Sequence, residues 1–87
     1  MRNIIFEQKA FQQFNGWVKE YKKVYAKIVE LIDDTLRNPF TGIGKPEPLK
    51  YELKGCWSRR ITDEHRLVYK VSEDAVIILS GKFHYKK

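Results

Sequence analysis

Apolar positions divide the chain into two regimes. Ile4-Ile5-Phe6 closes a short apolar run, and residues 2–6 are predicted as a brief edge strand. Phe11, Phe14, Val18 and Tyr21 then recur at spacings of three and four, the period of an amphipathic helix. Val24, Ile28, Leu31, Ile32 and Leu36 form a second helical stripe, with Lys23, Lys27, Glu30 and Asp34 on the opposite face, read as solvated surface. Asn38-Pro39 ends that helix, because proline disfavours helical geometry in the residue before it. Beyond it the pattern changes to short segments rich in β-branched and aromatic residues, and strands are predicted over residues 49–53, 57–61, 65–71 and 75–83. Connections as short as Lys54-Gly55, Thr62-Asp63-Glu64 and Ser72-Glu73-Asp74 make these strands antiparallel neighbours.

The expected architecture is α+β in the order β-α-α-β-β-β-β, with two N-terminal helices packed on one face of a mainly antiparallel twisted sheet. At 87 residues the chain supports one core, so one domain is expected over residues 1–87. Two Trp, five Tyr and five Phe supply bulky side chains that disordered basic tails lack. Residues 75–79 form the longest wholly apolar run, far short of the roughly 20 residues of a membrane-spanning helix. The first residues lack an apolar stretch long enough for a signal peptide, and a cytoplasmic location is expected. Cys56 is the sole cysteine, which excludes an internal disulfide and reads as a small buried hydrophobe.

Lysine and arginine exceed the acids to give a net charge of +6, of which +2 falls in residues 1–43 and +4 in residues 44–87. A basic second half suits a polyanionic partner. Within it, Lys45-Pro46-Glu47-Pro48-Leu49-Lys50 holds one carboxylate between two prolines. Pro46 fixes its own backbone and Pro48 pushes Glu47 into extended geometry, which aims the side chain as a positioned proton acceptor requires. Loop glutamates are most often merely solvated, and that reading stands beside the functional one. Arg59 and Arg60 point to opposite faces of a strand. A three-residue turn at Thr62-Asp63-Glu64 places Arg60 opposite Arg66, whereas a two-residue turn breaks that register. These arginines can bind an anion or form weak surface pairs with Asp63 or Glu64.

His84-Tyr85 closes the last predicted strand, followed by Lys86-Lys87. An imidazole ordinarily titrates near 6.5 and a glutamate carboxyl near 4.3, so the two begin in complementary protonation states at neutral pH. His65, beside a turn, reads as structural, and two histidines without cysteine partners argue against a metal site. No cofactor is implied. A carboxylate, a histidine and several cations suit metal-free RNA cleavage. There the ribose 2′-hydroxyl attacks the adjacent phosphate, an acid protonates the departing 5′-oxygen and cations stabilise the phosphorane. DNA lacks that nucleophile.

Three ordered blocks carry a resemblance. Lys45-Pro46-Glu47-Pro48-Leu49-Lys50, then the stretch from Gly55-Cys56-Trp57-Ser58-Arg59-Arg60 through Ile61-Thr62-Asp63-Glu64-His65-Arg66-Leu67-Val68-Tyr69, then His84-Tyr85, resemble the YoeB toxin family of the RelE superfamily. Asp34-Thr35 and Pro39-Phe40 extend the likeness to the second helix. The resemblance implies a ribosome-dependent messenger-RNA endonuclease of a type II toxin-antitoxin system, acting in the aminoacyl site and leaving 2′,3′-cyclic phosphate and 5′-hydroxyl ends. It implies neutralisation by a YefM-like antitoxin, operator-DNA contact as part of that complex, and homodimerisation in some relatives. By position, Glu47 matches the general base, His84 the general acid, Arg66 and Arg60 the phosphate-contacting arginines, Lys50 a substrate-binding lysine and Tyr85 the aromatic that holds substrate. The chain departs from many relatives in having Lys82 where arginine is common and in continuing through Lys86-Lys87. Two rival readings remain: a non-catalytic basic module that binds RNA or DNA, and a scaffold retained only as a co-repressor with its antitoxin.

Overall fold

The structure, a computed structural model, describes the backbone of residues 2–84 and the side chains of residues 2–82. Its elements are β1 (Asn3–Phe6), α1 (Gln8–Glu20), α2 (Lys22–Arg37), β2 (Glu47–Pro48), β3 (Trp57–Arg60), β4 (His65–Val71) and β5 (Ala75–His84), with a 3-10 turn at Tyr51–Leu53. The sheet runs β1-β5-β4-β3-β2. The short turns make β3, β4 and β5 antiparallel neighbours as predicted, and β1 lies parallel to β5 with Asn3 opposite Ala75 and Phe6 opposite Ile78. The helical pair between β1 and the remaining strands is the connection that allows this parallel pairing. No helix among the described residues is long and apolar enough to cross a membrane.

The α2 stripe is realised as predicted: Ile28, Leu31 and Ile32 are buried, with Val24 and Leu36 packed against them. They meet Leu67, Tyr69, Val76 and Ile78 from the sheet. The α1 stripe is corrected. Phe11, Val18 and Tyr21 are exposed, and the inward positions are Ala10 and Trp17, with Phe14 half-buried. The inward positions are instead a small alanine and a tryptophan whose indole N–H donates to the Gly81 carbonyl, and the mainly aromatic face of Phe11, Val18 and Tyr21 is left outside.

The strand expected over residues 49–53 is also corrected, since the extended piece is only Glu47–Pro48 and the chain then curls into the 3-10 turn. Leu49 N–H donates to the Cys56 carbonyl, Leu53 N–H to Lys50 and Cys56 N–H to Leu53, so the segment closes on itself instead of extending along β3. Leu49, Cys56 and Val68 form a small second core on the sheet face away from the helices, with Leu53 and Leu79 against it. Cys56 is a free buried thiol there.

Two assignments of charged residues to the surface are overturned together. Arg59 is 0% exposed, and Asp34 is its partner across 2.6 Å. The guanidinium also donates to the carbonyls of Asn38 (2.5 Å), Thr41 (2.9 Å) and Ile43 (3.2 Å), and to the Tyr69 hydroxyl (3.1 Å), which itself donates to the Pro39 carbonyl (2.8 Å). A buried charge is tolerable only when paired and fully hydrogen-bonded, which this one is. The Arg59 hydrogen bond, then that from Ile43 N–H, holds the Asp34 carboxyl below its usual value. Burial pushes the Tyr69 phenol up despite its bond from Arg59.

Residues 38–44 therefore wrap around one guanidinium, and two glycines let them do so. Gly42 lies at φ +120°, where an added Cβ would stand 2.0 Å from Asp34 Oδ2, and Gly44 at φ +77°, where it would stand 2.7 Å from the Leu31 side chain. Arg60 N–H donates to the Gly44 carbonyl at 2.7 Å, tying the loop to β3 and fixing the approach to Glu47.

Because the folded Asp34 carboxyl titrates below its unfolded value, its contribution is present above the unfolded value and is lost as pH falls through the folded one. Asp34→Ala should cost about 3 kcal/mol at pH 7, the low end for breaking a buried pair. That gap should shrink below about pH 4, as urea unfolding at the two pH values would register. Gly42→Ala should destabilise by about 2 kcal/mol or more. By contrast Gly16→Ala, where a Cβ would meet nothing within 4 Å in mid-helix, should stabilise by about 0.5–1 kcal/mol on the same denaturation assay.

Candidate functional site

The helices cover one sheet face, and the other carries the polar residues. Strand alternation puts Ser58 and Arg60 on this open face, opposite to Arg59, and likewise places Arg66 beside Val68 of the small second core. Arg60 stands directly opposite Arg66, the register of the three-residue turn. Thr62 Oγ1 accepts from the Glu64 and His65 N–H groups and holds that turn closed. Two arginines directly opposite each other are unfavourable without an anion nearby.

Glu47 supplies one. Extended as its flanking prolines dictate, it pairs with Ser58 at the sheet edge. Arg66 Nη1 donates to Glu47 Oε1 at 2.8 Å and reaches Ser58 Oγ at 3.5 Å. The Arg66 side chain is 14% exposed and that of Glu47 47% exposed, so the guanidinium is nearly enclosed while the carboxylate meets solvent. A charge-assisted bond of this kind fixes direction more than it adds stability at a solvent-facing site. Glu47, Arg60 and Arg66 are thus brought together. Lys50 is exposed just beyond β2, immediately before the 3-10 turn.

The end of β5 borders this face: backbone register places Phe83 opposite Arg66, and His84 one position along, opposite His65. The strand bearing His84 therefore lies directly beside the strand bearing Arg66. The His84 side chain and the whole of Tyr85 lie outside the described residues. The register slips between Val68/Ser80 and Arg66/Phe83, a bulge at Gly81-Lys82 opposite Leu67. Helix α1 grips this bulge. Gln13 Oε1 accepts from Ser80 Oγ (3.1 Å) and Gly81 N–H (2.9 Å), while Trp17 Nε1 donates to the Gly81 carbonyl (3.0 Å). The Lys82 ammonium sits 4.9 Å over the Trp17 ring, and His65 meets the same ring edge-on at 5.2 Å.

Several of these contributors escaped sequence reading. Ser58 was within reach, because period-two alternation from Arg60 predicts its face. Gln13, which holds the bulge, carried no signal: a polar residue on a helix reads as solvent-facing until the strand it grips is known. Among the described residues no group of three or more His, Cys, Asp or Glu side chains is placed to hold a metal ion. Chemically, the face offers a directed carboxylate, two guanidiniums beside it and a neighbouring strand that ends in histidine.

Comparison with known proteins gives this arrangement a family. Residues 6–85 match the family model described as YoeB-like toxin of bacterial type II toxin-antitoxin system. Toxin YoeB of Escherichia coli K12 is 49% identical over 82 residues, covering 94% of this chain and 98% of that protein. The solved YoeB dimer from Staphylococcus aureus superposes with a TM-score of 0.91 at 46% identity, covering 97% of this chain and 98% of that one. A heterotetrameric YoeB-YefM complex from the same organism gives a TM-score of 0.88 at 45% identity, covering 98% and 99%. With likeness over almost the full length of chain and relatives, and with the two-helix, five-stranded fold shared, this chain belongs to the YoeB toxin family of bacterial type II toxin-antitoxin systems.

Proposed function

We propose that this toxin is a ribosome-dependent messenger-RNA endonuclease. The observation that supports it most is the Glu47–Arg66 pair at 2.8 Å on an open, cationic sheet face, with Arg60 directly across from Arg66. In this reading Glu47 removes the proton of a ribose 2′-hydroxyl, whose oxygen bonds to the adjacent phosphorus. The bond from phosphorus to the 5′-oxygen breaks, and His84 gives that oxygen its proton. The products are a 2′,3′-cyclic phosphate and a 5′-hydroxyl. Arg66 and Arg60 offset the charge that builds on the phosphorane, and Lys50 and Tyr85 hold the substrate strand. Arg66 is shared between carboxylate and phosphate, so substrate arrival loosens its hold on Glu47 as the carboxylate takes up the proton.

The toxin acts in the cytoplasm, on messenger in the aminoacyl site of the ribosome. The relatives solved as a dimer and as a YoeB-YefM heterotetramer support self-association and neutralisation by a YefM-like antitoxin; contact with operator DNA through that complex belongs to the same proposal. A net charge of +6 favours both an acidic partner and RNA, and makes binding to either weaken steeply with salt.

Glu47→Gln and His84→Gln should each lower the cleavage rate on ribosome-bound messenger by about 100-fold or more, read by mapping new 5′-hydroxyl ends. Arg66→Ala should lower it by about 100-fold, with Arg66→Lys restoring part of the loss because charge returns without the fork. Purified toxin should cut messenger on ribosomes well and free RNA poorly. Tight binding with no new ends would instead identify a non-catalytic module.

A further inference from the structure

The most exposed large hydrophobic side chain among the described residues is Tyr51, at 90%, against 57% for the next, Tyr21. Its backbone lies at φ +57°, the left-handed region that non-glycine residues avoid. Both features disfavour a tyrosine. Strain at a bulky residue persists only when its surroundings enforce it, and it gathers at functional sites. Here the enforcement is visible: Lys54 N–H donates to the Tyr51 carbonyl, Leu53 N–H to that of Lys50 and Cys56 N–H to that of Leu53. Leu53 and Cys56 anchor the turn in the small second core, and the ring itself is left outside.

The position of that turn matters. Val68 of the small core and Arg66 of the Glu47–Arg66 pair are two residues apart on β4, hence on one face and about 7 Å apart along the strand. Tyr51 is therefore presented beside the proposed cleavage site, directly after the exposed Lys50. A solvated aromatic face next to a cation is the combination by which proteins hold an unstacked base and its phosphate, and it tolerates any base because every base has a π-face.

The geometry points to Tyr51 as a stacking platform for a nucleobase of single-stranded RNA next to the cut, a contact that rests on the endonuclease reading and deepens it. Stacking on the ring offsets the strain only when RNA is bound. The role is that of a substrate-binding residue, outside the proton transfers assigned to Glu47 and His84.

Three variants test this: Tyr51→Phe keeps the ring, Tyr51→Ala removes it, and Tyr51→Gly removes both ring and strain. Tyr51→Gly should fold more stably, with a higher urea midpoint, yet lose about 10- to 100-fold in cleavage at subsaturating ribosome-bound messenger, mostly through KM. Tyr51→Ala should lose as much activity without the gain in stability, and Tyr51→Phe should stay within about threefold of wild type. A glycine variant that cuts as well as wild type overturns the proposal, because a merely structural tyrosine predicts that result. A second measurement separates this contact from the endonuclease reading: binding of a fluorescein-labelled single-stranded oligoribonucleotide to the Glu47→Gln toxin, with and without Tyr51→Gly. If wild type proves unable to cut while Tyr51→Gly weakens this binding about tenfold, stacking stands and cleavage falls. If wild type cuts and Tyr51→Gly alters neither binding nor KM, stacking falls and cleavage stands.

Discussion

One buried guanidinium organises this protein. Arg59 lies between the end of α2, the loop that follows it and the sheet, and its donors reach Asp34, three loop carbonyls and Tyr69. A buried ion pair adds little net stability over a well-packed apolar contact, since desolvation offsets most of the attraction. Its effect is geometric. A loop without regular structure is given a fixed course, with the carbonyls of Asn38, Pro39, Thr41 and Ile43 each hydrogen-bonded, and its last residues deliver Lys45-Pro46-Glu47 to the sheet edge. The glycines at 42 and 44 are the complement of that course, because only a residue without a Cβ passes so close to Asp34 and Leu31.

The same division of labour continues across the sheet. The helix-facing side does the packing, and the opposite side is shared between a small apolar cluster and the polar residues. Each edge of the polar group is secured by something remote in sequence: Glu47 by the Arg59 loop, and the end of β5 by Gln13 and Trp17 of α1. The Glu47 carboxylate itself stays solvated, as the proton acceptor proposed here needs to be.

Much of this was legible in the chain. Periodicity located both helices and placed β4 at its observed bounds, and of the two turns that the sequence left open, the three-residue one is found, with Arg60 opposite Arg66. Glu47 was singled out by its two prolines, and it does run extended with a directed side chain. What failed shares a physical cause. Arg59, Asp34 and Gln13 are polar residues whose inward orientation depends on partners 25 to 68 positions away, and local pattern assigns such residues to solvent. The α1 face was misjudged for a related reason, as alanine at position 10 carries too little hydrophobic signal to compete with Phe11. The strand expected at residues 49–53 failed because β-propensity does not register a turn whose hydrogen bonds close within the eight residues 49–56.

The parallel contact of β1 with β5 has a consequence for biosynthesis. Asn3–Phe6 precedes the helices and has no sheet partner until Ala75–His84 has been made, so the strand that joins β1 to the rest of the sheet is the last of the five in chain order. Closing that distance is slow compared with local helix formation. A nascent chain therefore carries its helical hairpin before it can assemble the sheet, and the face that bears Glu47, Arg60 and Arg66 is completed only once β5 has been made.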